Sequence, residues 1–328
     1  MSTIKVNAIE STASGGVAAK IASINDGALS NRNLLHNSSY EIWQRGTAFS
    51  SAATGGNRYT ADRWSVPRRT RVAQSTDVPA GFKYAILLDR EQTGGTEPFT
   101  VSQGIEKDNI RFTGSYTLSF YAKSSDISTV NIYVQDRTLV SEGGTNHSSI
   151  VTNQSVSITS SWARYTHTFT LSSIALTGTC LRISIGNTSA SQHDELLLTG
   201  IQLETGSVAT DIEKRSLGHE LSLCYRYFYK NLQSPVGMFI ADAADAGKAY
   251  GFVGFPVTMR TAPTVVLADN NGNSDGKVTQ HGAAHNIAAT ASQIQKEGFA
   301  RVLKSSGNWN TTASKPIICG VTSADAEL

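Results

Sequence analysis

The sequence predicts an all-β chain: a jelly-roll-like β-sandwich, then a short connecting helix, then a second, smaller β-sandwich domain. Three observations predict it. Apolar and polar residues alternate with period two over many short segments between about residues 100 and 190. Glycine-rich breakers separate those segments, at Gly94-Gly95, Gly143-Gly144, Gly178 and Gly186-Asn187. Only one well-marked stretch, 213 to about 230, changes to a helical period.

Residues 1–32 form a distinct opening segment. Ile4, Val6 and Ala8 alternate as in a short strand, Ser11 to Gly16 reads as a linker, and Val17, Ile21 and Ile24 recur at helical spacing. No aromatic residue occurs there, so the segment has no means of closing a core alone. It is expected to bury its apolar residues against identical copies or a neighbouring protein.

Residues 33–213 carry the sandwich pattern. Tyr116, Leu118 and Phe120 alternate with Thr117, Ser119 and Tyr121. Val130, Ile132 and Val134 alternate with Asn131, Tyr133 and Gln135. Tyr165, His167, Phe169 and Leu171 form a third apolar row, and Leu181, Ile183 and Ile185 a fourth. Strands of this kind have one buried and one wet face, and two such sheets face to face make a sandwich.

Residues 214–232 form the connector. Leu217, Leu221, Cys224 and Phe228 fall on one helical face, with Glu220 in the first turn and Arg226 and Lys230 near the end, as a helix dipole favours. This stripe needs a covering surface. Residues 233–328 return to strand patterns, with polar loops at 270–276 and 306–310.

Composition narrows the function. Charged residues make up 16% of the 328, below the roughly 25% of an average soluble protein. Ser, Thr, Asn and Gly take their place, which gives a surface of hydrogen-bonding groups suited to sugars. The net charge is +2 with dispersed basic residues; Arg68, Arg69 and Arg71 are the densest cluster. That is no basic stripe, and no nucleic-acid partner is expected. Three widely spaced cysteines, Cys180, Cys224 and Cys319, exclude a disulfide framework and a CxxC zinc site. Cys180 and Cys224 read as small buried hydrophobes, and the chain as one made in a reducing cytoplasm. Met1 to Glu10 lacks a signal-peptide core, and no run is long and apolar enough for membrane insertion.

Catalytic and metal motifs are missing. There is no GxSxG elbow, HExxH helix or Walker loop. Asp194-Glu195 are adjacent and point to opposite faces of a strand, so they do not form a hydrolytic pair. His281 and His285 flank Gly282 in a loop pattern, and Glu41 has no second acidic ligand beside it. No cofactor, metal or enzymatic activity is expected.

Two phrases then give a resemblance. The first is Asn33-Leu34-Leu35-His36-Asn37, Trp43-Gln44-Arg45-Gly46 and Tyr59-Thr60-Ala61-Asp62-Arg63-Trp64. The second runs from Leu198 through Gly200-Ile201-Gln202-Leu203-Glu204-Thr205-Gly206 to Thr210. Together they resemble the opening and closing strands of the sandwich in tail-fibre-like virion proteins of tailed bacteriophages. Carbohydrate-binding jelly rolls share a weaker form of the pattern. Gly254-Phe255-Pro256, Met259 to Val266, and Ile317 to Leu328 resemble the head domain of the same phage proteins. The resemblance implies a virion location on the tail, attachment to another virion protein through residues 1–32, a parallel homotrimer, and recognition of a host surface glycan or receptor. A head fibre, decoration or adaptor protein is the structural alternative; a polysaccharide depolymerase is the enzymatic one.

Candidate ligand-binding residues follow from side-chain chemistry. Trp309 sits between Asn308 and Asn310 in a polar loop, an aromatic anchor beside adaptable hydrogen bonders. Tyr121 and Tyr133 fall on the wet faces of alternating strands, near Gln135 and Arg182, which offer an amide and a planar guanidinium. Trp43, Trp64 and Trp162 read instead as scaffold anchors.

Overall fold

The computed structural model describes residues 31–52, 56–91, 99–110, 113–137, 147–172, 180–187, 191–230, 239–245, 247–268, 276–280, 284–305 and 317–327, with short pieces at 23–24 and 27–28. The latter are β1 (Ser23–Ile24) and β2 (Gly27–Ala28), paired antiparallel. The rest of the opening segment lies outside the described residues, as do Asn308, Trp309 and Asn310.

The sandwich is built from β3 (Ala48–Phe49), β4 (Asn57–Tyr59), β5 (Ser65–Pro67), β6 (Arg71–Ser75), β7 (Ala85–Asp89), β8 (Phe99–Glu106), β9 (Gly114–Lys123), β10 (Thr129–Arg137), β11 (His147–Ser157), β12 (Ala163–Leu171), β13 (Cys180–Asn187) and β14 (Glu195–Thr205). They form two six-stranded sheets, in orders β11-β10-β13-β8-β5-β4 and β12-β9-β14-β7-β6-β3. Neighbours such as β8 and β13, or β7 and β14, are far apart in sequence, so the chain passes repeatedly from one sheet to the other. The pairings are antiparallel.

The predicted alternation sets the layers. Tyr116, Leu118, Phe120 and Ala122 of β9 face Val130, Ile132 and Val134 of β10 across one buried core. Leu181, Ile183 and Ile185 and the Leu196, Leu198, Ile201 and Leu203 row of β14 complete it. The pleat of β14 breaks at Gly200, where the register with β9 shifts between Thr199 and Gln202. Gly200 has φ +58°, and a β-carbon there would lie 2.6 Å from the Phe82 ring. The bulge keeps Ile201 and Leu203 inward while turning Gln202 and Glu204 outward.

The two family-like phrases lie side by side. Leu34 N–H donates to the Leu203 carbonyl at 2.9 Å. The Asn33 carboxamide accepts from Leu35 and Leu203 amides, each at 3.0 Å, and donates to the Ile201 carbonyl at 3.1 Å. Beyond β14 the chain folds back over the outer face. Glu204, buried there, accepts from the Thr210 amide at 2.9 Å and the Thr210 hydroxyl at 2.6 Å. Gln202 donates to Glu204 at 2.8 Å and accepts from the Glu213 amide at 2.8 Å.

The connector is shorter than the periodicity predicts. The helix α1 spans Leu217–Tyr225, with the Ser216 hydroxyl accepting from the His219 amide at its start. Phe228 leaves the helical face and enters β15 (Phe228–Lys230). Pairing with the last strand supplies hydrogen bonds that a further helical turn would otherwise make, and it favours the aromatic run Tyr227-Phe228-Tyr229 in extended form. The apolar stripe is also partly covered: Cys224 and Phe228 are buried, while Leu217 is 58% exposed. Cys180 and Cys224 are buried free thiols, as read from the sequence.

The remaining strands are β16 (Phe239–Asp245), β17 (Lys248–Gly254), β18 (Thr264–Ala268), β19 (Lys277–Gln280), β20 (Ala284–Ile294), β21 (Gly298–Lys304) and β22 (Ile317–Asp325). They follow the order β15-β22-β16-β17-β21-β20-β19, with β18 also on β22 and β19 returning to β22. The circuit therefore closes around a second core that includes Val253, Met259, Leu267, Val278, Phe299 and Val302. The protein is all-β with one α-helix among the described residues.

Candidate functional site

Most polar residues of the first family-like phrase turn out to form a socket. Asn37, at φ +51°, closes the loop that follows it by accepting from the Ile42 amide and donating to the Ile42 and Asp62 carbonyls, at 2.8–3.0 Å. Trp64 is fully buried and donates from its indole to the Asn37 carbonyl at 2.9 Å. Trp43 packs on the same core and donates to the Tyr40 carbonyl at 2.6 Å. These two tryptophans are scaffold, as expected. Trp162 donates to Asp77 at 2.9 Å.

On this frame Gln44 meets the connector strand as another strand would. Its Nε2 donates to the Phe228 carbonyl and its Oε1 accepts the Lys230 amide, each at 2.9 Å. Asp62 fixes the Gln44 side chain from behind, accepting from its amide at 3.0 Å and from its Nε2. Burial pushes the Asp62 carboxyl up to about 7, against the opposing pull of Arg45 and the two Gln44 bonds.

Two arginines complete the socket. The Arg45 guanidinium lies 3.4 Å from the Phe228 ring centroid and pairs with Asp325 at 3.2 Å and Glu327 at 3.4 Å. Arg63 lies 3.3 Å from the Tyr227 ring centroid, pairs with Glu327, and donates to the Gly104 carbonyl at 2.6 Å. At the rim, Arg226 forks onto Glu106 with two bonds of 2.8 Å, and the Tyr227 hydroxyl joins at 2.6 Å. Burial pushes that phenol up to about 12. His36 is held neutral by burial and by the charges of Arg63, Arg215 and Arg226. The socket joins the sandwich to the strands after α1, and sequence reasoning missed it. The available signal was a cluster of Gln, Arg and Asp inside an aromatic phrase that has no period-two alternation.

The predicted ligand residues divide between the sheets. Tyr133, Gln135 and Arg182 come together on the outer face of one sheet, with Gln135 and Arg182 directly opposite in the β10–β13 ladder. All three are half-buried. The Tyr133 hydroxyl donates to Asn153 at 3.1 Å. Beside them, on β13 and β8, the Ser184 and Ser102 hydroxyls bond each other at 2.8 Å. Tyr121 belongs to the other sheet. Its ring packs against Phe82 at 5.2 Å between centroids, so the structure does not bring it to the Tyr133 group. Among the described residues no cluster of three or more His, Cys, Asp or Glu is arranged to hold a metal ion.

No family model matches the chain, and no curated protein matches it. Solved structures similar to part of it include carbohydrate-binding modules and a putative sugar-binding protein. One is the CBM22-1 xylan-binding domain of Xyn10C from Paenibacillus barcinonensis, with 16% identity, TM-score 0.33, and coverage of 49% of this chain and 99% of that one. Another is a putative sugar-binding protein from Bacteroides thetaiotaomicron, with 14% identity, TM-score 0.36, and coverage of 53% and 100%. A third is the C-terminal family 22 carbohydrate-binding module of Clostridium thermocellum Xyn10B, with 11% identity, TM-score 0.34, and coverage of 55% and 99%. Similarity at this level does not carry a function to this chain.

Proposed function

We propose that this protein is a non-enzymatic recognition subunit of a virion, a tail-fibre-like protein that binds a host surface glycan on the outer face of β10 and β13. The observation that carries the reading is the group Tyr133, Gln135 and Arg182. It sets an aromatic face, an amide and a guanidinium side by side on a half-exposed sheet. An aromatic ring takes the apolar face of a sugar, while the amide and guanidinium bond its hydroxyls.

The engaged carboxylates support a non-enzymatic role. Asp62 is held by Gln44, Glu106 by Arg226 and Tyr227, Glu204 by Thr210 and Gln202, and Glu327 by Arg63 and Arg45. Each of these acids supports the framework. The virion assignment rests on the two sequence phrases and carries with it attachment through residues 1–32 and a parallel homotrimer.

Purified protein incubated with host surface polysaccharide tests the reading. Binding that Tyr133→Ala weakens, with no oligosaccharide released, is the expected result. Release of oligosaccharide overturns the non-enzymatic assignment, and binding indifferent to Tyr133 overturns the site. Light scattering checks the trimer, and imaging of whole particles checks the tail location.

A further inference from the structure

The outer face of β10 and β13 has a charge as well as an aromatic surface. The β10–β13 ladder runs from Asn131 to Arg137 without a register shift. Ile132, Val134, Leu181 and Ile183 are fully buried in the core, so Tyr133, Gln135 and Arg182 project from the opposite face. Two rows cross that face. One is Ser149, Gln135, Arg182 and Gly104; the other is Tyr133, Ser184, Ser102 and Ser65. Gly104 has no side chain to cover Arg182 from β8. The Ser184 and Ser102 hydroxyls are buried and bond each other, so what the two rows present outward is Tyr133, Gln135 and Arg182. The Tyr133 hydroxyl reaches Asn153 on β11, which fixes the tilt of the ring.

Neither row contains a carboxylate. Along β8 the next acid on this face is Glu106, two residues beyond Gly104, and it is taken. Arg226 forks onto both of its oxygens at 2.8 Å, and the Tyr227 hydroxyl joins at 2.6 Å. Among the described residues Arg182 has no ion-pair partner, whereas Arg45, Arg63, Arg71 and Arg226 each have one. The surrounding charge has the same sign. Arg137 follows Gln135 by two residues on the same face and stands opposite Cys180. Burial pushes the Cys180 thiol up to about 11, while Arg137, Arg63 and Arg260 pull it down and Asp136 opposes them. Three guanidinia against one acid make the potential at this end of the face positive.

We propose that the glycan bound on this face is acidic, and that Arg182 selects it by pairing with a sugar carboxylate while Tyr133 stacks on the ring and Gln135 bonds its hydroxyls. The inference rests on the outer face of β10 and β13 being a glycan site, and adds the charge of the ligand and the residue that reads it. The planar guanidinium fork matches the two oxygens of a carboxylate, which gives geometric as well as electrostatic preference. Gln135 lies about 5 Å from Arg182 across the ladder and about 7 Å from Tyr133 along the strand, so one sugar ring is within reach of all three.

The test is titration calorimetry on the full chain with oligogalacturonate, oligoalginate and hyaluronan fragments, each beside its carboxyl-reduced, neutral counterpart. At least one acid should bind about tenfold more tightly than its counterpart, with the preference shrinking in high salt as screening predicts. Arg182→Gln should abolish the preference and leave the neutral sugar bound as in the parent. Arg182→Lys keeps the charge without the fork and should restore part of the preference. Tyr133→Ala should weaken acid and neutral sugar alike. The comparison of acid with neutral sugar in the parent needs no variant, so it decides the matter even if Arg182→Gln does not fold. Equal affinity for both forms, lost together in Tyr133→Ala, overturns the acidic ligand and leaves the glycan site itself standing. Binding indifferent to Tyr133→Ala overturns the site and the inference with it. An acid preference that survives in Arg182→Gln overturns the role of Arg182, and tighter binding of dextran sulfate than of any carboxylated sugar replaces the carboxylate by a sulfate ester.

Discussion

Glu327 is buried against Arg63, with side-chain exposures of 3% and 1%, although 264 residues separate them in sequence. The pair joins the strand circuit to the sandwich at a point sealed from water. Arg63 holds a positive φ of 72°, unusual for a side chain of this size, so the sandwich backbone commits to presenting it. The Tyr227 ring lies on the guanidinium, and the Gly104 carbonyl takes another of its protons.

Removing one partner of such a pair strands the other charge. Glu327→Ala should therefore destabilise the protein by about 3–5 kcal/mol, far more than loss of an exposed ion pair. Denaturant unfolding should show this, together with separation of one transition into two as the sandwich and the strand circuit lose their coupling. A fall below about 1 kcal/mol with a single transition would mean that Arg45 and the aromatic contacts hold the joint without Glu327.

Gln44 makes a more local prediction. Its carboxamide is the partner of the Lys230 amide and the Phe228 carbonyl, on the edge of β15 away from β22. Gln44→Ala leaves both groups unpaired and should cost about 1–2 kcal/mol. Hydrogen exchange gives the sharper readout. The Lys230 amide should be protected in the parent and exchange much faster in the variant, while the Val130, Ile132 and Val134 amides in the sandwich stay slow.

The sandwich was legible because its cause is local. Period-two alternation in β9, β10, β12 and β13 places each residue on a face without reference to anything distant. Burial of Cys180 was legible for the same reason, and burial of Cys224 from the helical stripe on which it falls. The socket was not, because Gln44, Arg63 and Asp62 are explained only by residues at 227–230 and 327, and no spacing rule links those positions. The helix end was misjudged where a distant strand offered Phe228 a better set of hydrogen bonds than a fourth turn. Tyr121 and Tyr133 looked equivalent because alternation gives the face of a strand but not the sheet to which it belongs.

The Gly200 bulge should tolerate no side chain. Its φ of +58° is costly for any residue with a β-carbon, and that carbon would collide with Phe82 and crowd Tyr121. Gly200→Ala should lose about 1–3 kcal/mol of stability. Tyr121→Ala should also destabilise, since it removes the ring on which Phe82 rests, yet leave sugar binding at the Tyr133 face unchanged. Melting curves with a glycan-binding assay separate the two effects. Lost glycan binding in a folded Tyr121→Ala protein would return Tyr121 to the ligand site.

Asp62 makes stability depend on pH in a definite direction. Its folded value near 7 stands above the ordinary 3.8 of an aspartate, because burial penalises the charge. Between those values the native state keeps a proton that the unfolded chain releases. Stability from this group is thus fully present below about pH 4 and is lost as pH rises through about 7, by roughly 1–4 kcal/mol in all. His36 acts in the opposite sense over part of the same range: its lowered value makes protonation favour the unfolded chain as pH falls below about 6.5. The two are separated by comparing the parent with Asp62→Asn. The asparagine oxygen can still accept from the Gln44 amide, but its amide group faces Gln44 Nε2 donor to donor. The variant should melt lower at acid pH, where the parent holds its proton, and the gap should narrow steadily from pH 4 to 8. A gap that stays constant across that range would show that Asp62 does not titrate there and that the carboxylate is charged throughout.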